Sequence, residues 1–418
     1  MRSWPASARS QLPGRGFPLR VFDTATGSVR PLEAGPTVRM YVCGITPYDA
    51  THLGHAFTYL TYDLLTRVLL DAGHEVHYVQ NITDVDDPLF ERAKRDGLDW
   101  REIARSQTDL FRADMTALRI LPPAAYVGAI ESIPLVIELI EKLRGREATY
   151  RVDRDIYFPI EAAPRFGKIS HLSFDAMVER AAGNGGDPDR PGKKNPLDPL
   201  LWRAERPGEP AWPSPFGPGR PGWHIECAAI ALTYLGASID VQGGGTDLTF
   251  PHHECGIAHA EVATGVQPFA RTCVHTAMVG LDGHKMSKSR GNLEFVSRLL
   301  ARGVPPAAIR IALLDHHHTI GWEWTPSAVD VARERLARWR AAAGHARGPD
   351  ARPLLDQVRR HLADDLDAPG AVAAVDRWAS AALAAGGDVP DAPALARAII
   401  DSLLGVDIEP VVAGGRSV

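Results

Sequence analysis

Three groups of side chains in this sequence could do chemistry. His52 and His55, separated by Leu53 and Gly54, stand where a strand-like stretch gives way to a helical pattern. Two imidazoles at such a junction can donate to phosphate oxygens, and the helix N-terminus adds free N–H groups and the positive end of its dipole. Gly54 lets a nucleotide approach the backbone closely. Alone, the tetrapeptide is weak, because paired histidines on turns are more often solvated or structural. The second group is Lys285-Met286-Ser287-Lys288-Ser289, between Gly283 and Gly291. Two ammonium groups on a Gly-flanked loop can neutralise charge developing on a transferring phosphoryl group. For a lone pentapeptide a solvated turn is the better account. The third group is Cys43, Cys227 and His252, two thiolates and an imidazole that suit zinc with an open fourth position. A substrate thiolate could fill that position, whereas a hydroxyl would be a much poorer ligand. The spacing is too wide to define a metal site unaided, and on spacing alone structural cysteines with a turn histidine are the better account.

The elements that must position these groups can be read from periodicity. Residues 17–42 read as short strands, with alternation at Val38, Met40 and Val42. A helix is expected from His55 to Ala72, with the stripe Phe57, Leu60, Leu64, Val68 and Leu69 and a stop at Gly73. Val76 to Ile82 reads as a strand, so strand, turn, helix, strand opens a parallel α/β sheet. Helical patterns follow around 98–118 and 128–144, and strand-like composition returns at Val241 to Pro251 and Val274 to Val279. Residues 181–221 are rich in Gly, Pro and charge without a sustained period, which suggests a linker or a loop-rich insertion. Beyond Thr325-Pro326, a cap followed by Pro, the faces Val329/Ala332/Leu336/Trp339, Leu355/Val358/Leu362 and Leu395/Ile399/Leu403 predict a small helical bundle.

At 418 residues, 45% hydrophobic and 23% charged, the chain has ordinary globular composition and room for two or three domains. A net charge of −5 excludes a protein held to nucleic acid by bulk charge. Met1 to Gly16 lacks the apolar core of a signal peptide, and no later stretch is apolar enough to span a bilayer. A cytoplasmic protein with no membrane partner is expected, with its four cysteines reduced and Cys273 acting as a small core residue.

The two nucleotide motifs, in this order and at this separation, resemble the paired signatures of class I aminoacyl-tRNA synthetases. Tyr41 to His55, Tyr78 to Pro88, Trp212 to Cys227, Gly243 to Glu254 and Lys285 to Asn292 are similar to cysteinyl-tRNA synthetase, and the resemblance runs from about Leu19 to Gly405. It implies a Rossmann-like parallel sheet with an inserted connective region and a C-terminal helical bundle. The implied divisions are an N-terminal arm (1–36), a first catalytic half (37–150), the connective region (151–222), a second catalytic half with the lysine loop (223–290), a segment like the stem-contact region (291–323) and the bundle (324–418). It also implies one zinc on Cys43, Cys227 and His252, and ATP with Mg2+ as substrate. His52, His55, Lys285 and Lys288 would serve the adenylation step. Cys43, Gly44, Ile45 and Thr46 would line the cysteinyl pocket. Thr58, Asn81, Ile82, Thr83 and Trp223 would contact the adenylate, Gly245, Thr246 and Asp247 the ribose, and Val279 the adenine. Where that family has a Glu four residues beyond the zinc histidine, this sequence has Gly256, which favours a three-ligand shell.

The acceptor is a separate question. Cysteinyl-tRNA synthetases continue into a basic anticodon-reading domain. Here the residues from 361 on hold three Arg, no Lys and nine Asp/Glu, a balance of −6 that should repel a phosphate backbone. Gly185-Gly186-Asp187-Pro188 and Arg190-Pro191-Gly192-Lys193 resemble a signature of a shortened paralogue family, which joins cysteine to glucosaminyl-inositol in actinobacterial mycothiol synthesis. That resemblance implies L-cysteine, ATP and glucosaminyl-inositol as substrates and no tRNA; a monomer is expected. The alternative is a cysteinyl-tRNA synthetase without its anticodon domain. The acceptor wall is expected near Trp223 and Thr83-Asp84, with Asp84 as a candidate to orient the amine, although Asp84, Asp86 and Asp87 could equally cap the next helix.

Overall fold

A computed structural model describes residues 1–49, 51–286 and 291–409, without the side chain of Lys285. Strands β1 (Arg20–Asp23) and β2 (Ser28–Pro31) form a hairpin ahead of β3 (Thr37–Val42). Helix α1 (Leu53–Asp71) and strand β4 (Glu75–Ile82) complete the expected strand–helix–strand unit. Two helices follow, α2 (Asp87–Asp96) and α3 (Trp100–Ala117), then β5 (Ala125–Gly128) and α4 (Ile133–Gly145). Helix α2 was foreseen only as the element that Asp84, Asp86 or Asp87 could cap, without bounds. Its ten residues carry only two buried side chains, Leu89 and Ala93, so it shows little apolar stripe.

The region with no sustained period, 181–221, is loop-rich but holds the end of a helix and two short strands, which continue a sheet begun upstream. Strands β6 (Tyr150–Val152) and β7 (Asp155–Tyr157) precede helix α5 (Phe174–Gly183), and β8 (Leu200–Ala204) and β9 (Gly219–Pro221) complete an antiparallel sheet in the order β6-β7-β8-β9. Its strands are three to five residues long, too short for a period-2 pattern to stand out between prolines and glycines. The stretch is therefore a structured insertion and not a linker.

The chain then returns to the central sheet through α6 (Trp223–Leu235), β10 (Ile239–Gly245), α7 (Glu254–Thr264) and β11 (Ala270–Thr276). The sheet order is β11-β10-β3-β4-β5, parallel at every pairing. From β3 the chain winds outward through β4 and β5, and from β10 it winds the other way to β11. The carboxyl ends of β3 and β10 therefore flank a topological switch point, where open α/β sheets leave a crevice for ligands. Side-chain alternation on β3 divides the core: Met40 and Val42 pack with α1 and the C-terminal helices, whereas Tyr41 and Cys43 pack with α6 and α7.

Strands β12 (Val279–Leu281) and β13 (His284–Lys285) lead into α8 (Val296–Ala301), α9 (Pro306–Leu314) and β14 (Trp322–Glu323), which pairs with β12. Helices α10 (Ser327–Ala343), α11 (Arg352–Ala363), α12 (Ala368–Ala385) and α13 (Ala392–Leu404) form the bundle. Their expected faces are buried at Val329, Ala332, Leu336, Trp339, Leu355, Val358, Leu362, Ile399 and Leu403, while Leu395 is only partly covered. The expected Thr325 cap does not form: its hydroxyl faces Ser327 Oγ at 2.9 Å, and α10 starts without a side-chain cap. Among the described residues no helix is long and apolar enough to cross a membrane.

Candidate active site

Cys43 continues the β3 alternation one residue past the strand, onto the side covered by α6. Cys227 sits in the opening turns of α6, and His252 lies in the irregular turn between β10 and α7. Their donor atoms all lie within 4.8 Å of one another, and all three residues are buried. His252 Nε2 is 3.2 Å from Cys227 Sγ. The residue types, their convergence and their burial fit a zinc shell. Glu254, the nearest acidic residue in sequence to His252, turns away, its carboxylate accepting the backbone N–H groups of Gly167 and Ser170 at 2.8 and 2.9 Å. Cys255 and Cys273 are buried outside the trio, and burial pushes both thiols up.

Three further histidines surround the trio. His253 Nε2 lies 3.2 Å from Cys43 Sγ, and its Nδ1 meets His275 Nε2 at 2.7 Å. His275 Nδ1 in turn meets Thr24 Oγ1 at 2.7 Å. On the other side His224 Nδ1 is 3.2 Å from His252 Nδ1. Burial drives His224 and His253 well below the ordinary imidazole range and His275 to about 4, so all three are neutral at pH 7. A neutral ring can donate from one nitrogen and accept at the other, which allows a chain of hydrogen bonds to end on a cysteine sulfur. Burial pushes the Cys43 thiol well up, while a hydrogen bond from Cys43 and the nearby His252 pull Cys227 down. A bound dication favours the thiolate form of both. Sequence reasoning did not find His253, His275 or His224. Adjacency to His252 and Cys227 was the available signal for two of them, and nothing local pointed to His275.

A cleft of about 320 Å3 opens at the switch point, with Cys43, Cys227 and His252 in its lining. His52 caps α1, accepting the His55 N–H at 3.4 Å, and the two rings stack with centroids 3.6 Å apart. A Cβ on Gly54 would come within 2.9 Å of the His52 ring, so the glycine also makes room for that ring. Gly44 is under a stricter constraint: a Cβ there would lie 1.7 Å from the Asn81 carbonyl oxygen. Gly44, Ile45, Thr46, Thr58, Thr83, Trp223, Gly245, Asp247 and Val279 all line the cleft together with His52 and His55. Trp223 stacks on His252, centroids 4.5 Å apart.

Asn81, Ile82 and Thr246 do not line it. Asn81 and Ile82 are buried at the end of β4, and Asn81 Oδ1 accepts the Gly44 N–H at 2.8 Å, so it shapes the pocket wall from behind. Thr246 begins the turn after β10 beside two lining residues, Gly245 and Asp247. Met286 lines the cleft and was not expected to, whereas the Lys285 side chain and Lys288 lie outside what the structure describes. Asp84 is also displaced from its expected role. Its carboxylate accepts the Ile130 N–H at 2.9 Å and it lines neither this cleft nor its neighbour. Asp86 is the cap of α2, accepting from Asp87 N at 2.9 Å and from Thr46 Oγ1 at 3.1 Å.

Residues 29–334 match the model of the tRNA synthetases class I (C) catalytic domain. The L-cysteine:1D-myo-inositol 2-amino-2-deoxy-alpha-D-glucopyranoside ligase of Parafrankia sp. is 68% identical, over 99% of this chain and 95% of that protein. The ligase of the same name from Frankia casuarinae is 65% identical over 98% and 94%, and that from Thermomonospora curvata 61% over 97% and 100%. Among solved structures, Mycobacterium tuberculosis methionyl-tRNA synthetase in complex with methionyl-adenylate superposes with a TM-score of 0.62 at 15% identity, covering 88% of this chain and 92% of that one. At that identity the likeness speaks for the fold alone. The catalytic-domain match over most of the chain and the near full-length identity place this chain in the class I (C) synthetase family, among its L-cysteine:1D-myo-inositol 2-amino-2-deoxy-alpha-D-glucopyranoside ligases.

Proposed function

We propose that this enzyme joins L-cysteine to the amine of glucosaminyl-inositol, the substrates in its relatives' names, and that, as its class I synthetase domain supports, it does so in two steps through cysteinyl-adenylate, releasing pyrophosphate and then AMP. The observation that carries the reading is the position of Cys43, Cys227 and His252 in the wall of the nucleotide cleft. Zinc on these three donors would bind the substrate thiol as thiolate and so select cysteine. The chain's own residues then orient the rest of the amino acid. Trp223, stacked on His252, and Thr46 both line the pocket. The cysteine carboxylate attacks the α-phosphate of MgATP. His52 and His55, both in the cleft lining at the start of α1, stand where phosphate oxygens can be held.

An acceptor other than tRNA is favoured by charge. Residues 361–409 carry nine Asp/Glu against Arg377 and Arg397, a surface unsuited to a polyanion. The first step is tested by pyrophosphate exchange. Cysteine should support it and serine should fail by a factor on the order of 10⁴, because a hydroxyl leaves the thiolate-reading position unsatisfied. Comparable exchange with the two amino acids would refute a thiolate-reading site.

A further inference from the structure

The adenylate cleft has a neighbour. A cavity of about 660 Å3 shares Thr46, Tyr48 and Trp223 with it and extends between the inserted sheet and the catalytic domain. That volume lies within the roughly 300–1,000 Å3 typical of small-molecule pockets. Its wall includes Gly185, Gly186, Asp187, Arg190 and Lys193, from the stretch whose resemblance pointed to the ligase family. The run is fastened to the inserted sheet. Lys193 Nζ donates to Asp187 Oδ1 at 3.0 Å and to Pro196 O at 2.8 Å, Arg190 donates to Tyr157 Oη at 2.6 Å, and Arg190 also pairs with the buried Asp155. The wall is thus preorganised.

One of the lining groups has an unmet need. Glu226 lies on α6 beside Cys227 and is 2% exposed, and its Oε2 is buried with no hydrogen-bond partner among the described residues. A buried oxygen without a donor costs about 1–3 kcal/mol, so it calls for a donor from outside the chain. An amino sugar joined to a polyol is rich in such donors.

Resting on the reading of the enzyme as a cysteine ligase, we propose that this second cavity is the acceptor pocket. The sugar and polyol lie along the 185–193 wall, Glu226 accepts a hydrogen bond from them, and the amine emerges between Thr46 and Trp223 to meet the adenylate. The acceptor nitrogen arrives as the free amine. As its bond to the cysteinyl carbonyl carbon forms, the acyl bond to AMP breaks, the electron pair leaves on the AMP phosphate, and the nitrogen sheds one proton to water.

Gly183, at the end of α5, offers the test. It lines the cavity, and a Cβ there would meet no atom within 4 Å, so Gly183→Trp should intrude on the pocket without disturbing packed neighbours. Full-length wild type, Gly183→Trp and Glu226→Leu, which removes the acceptor, are compared for pyrophosphate exchange with cysteine and for amide formation across a range of glucosaminyl-inositol concentrations. The expected result is a rise of about tenfold or more in the acceptor KM of both variants. In Gly183→Trp, cysteine-dependent exchange persists, which shows that the variant is folded and isolates the defect to the second substrate. An acceptor KM within twofold of wild type in either variant overturns the assignment of the pocket. If the wild-type enzyme itself exchanges pyrophosphate but makes no amide from glucosaminyl-inositol, the ligase reading fails first, and the pocket assignment with it.

Discussion

Cys43 and Cys227 are held as a buried pair with opposed tendencies: burial keeps the proton on Cys43, and hydrogen bonding draws it from Cys227. Such a pair resists burial of two negative charges unless a cation balances them. Cys227→Ser should therefore lose zinc and cysteine-dependent pyrophosphate exchange together, each by about 100-fold or more. Metal analysis of the purified variant beside its exchange rate checks this, and full activity in a metal-free preparation would refute it. His253, which meets Cys43 Sγ and leans on His275, should tune the same centre. His253→Ala should weaken zinc retention about 10- to 100-fold in a chelator competition, with less loss of exchange when zinc is in excess. Cys43, Cys227 and His252 became legible only through resemblance, since the two cysteines are 184 positions apart and no local pattern joins them. His275 had no such help, because its place depends on which strand pairs with β10.

Elements with a long apolar period were legible and elements without one were not. Helix α1 and the bundle faces followed from spacing, whereas α2 and the short strands of the insertion offered no stripe or alternation to read. Acidic residues near the site show the same limit. Asp84 and Asp86 read alike in sequence, yet one is tied to the Ile130 amide and the other caps α2. Asp114, on α3, is a further case whose role only the fold reveals. Burial raises its pKa to about 7 against an ordinary 3.8. The folded state therefore holds a proton that the unfolded chain releases, so stability is greatest below the unfolded value and falls as pH rises through the folded one. Asp114→Asn removes that dependence. Relative to wild type, the variant should gain about 2.5 kcal/mol of stability as pH rises from 5 to 8. Thermal denaturation of both proteins at the two pH values checks it, and an unchanged difference in Tm would contradict it.

Across the whole molecule, the catalytic sheet and the helical bundle are joined through a buried charge cluster. Asp63 and Arg67 on α1 and Arg310 on α9 are all at most 1% exposed, with Asp63 paired to both guanidinium groups. Arg67 donates to the carbonyls of Asp401 and Ser402 at 3.1 and 3.0 Å, and Arg310 to that of Leu404 at 2.6 Å. The last turn of α13 is thereby capped by side chains of α1 and α9. Asp63→Ala would strand two buried cations and should cost about 3–5 kcal/mol of unfolding free energy in denaturant titration. A loss below 1 kcal/mol would show that the cluster does not join the two parts. At this scale the parallel sheet and terminal bundle were readable, but their junction was not, because its three charged residues are 4 and 243 positions apart and only tertiary packing brings them together.

The account turns on what receives the cysteinyl group. Purified enzyme, ATP and labelled cysteine are incubated with glucosaminyl-inositol and tRNA in the same reaction, and both acceptors are recovered and counted. Label is expected in the amide of glucosaminyl-inositol, formed in step with AMP release and unaffected by added tRNA. Cysteine esterified to tRNA at a comparable rate would contradict it.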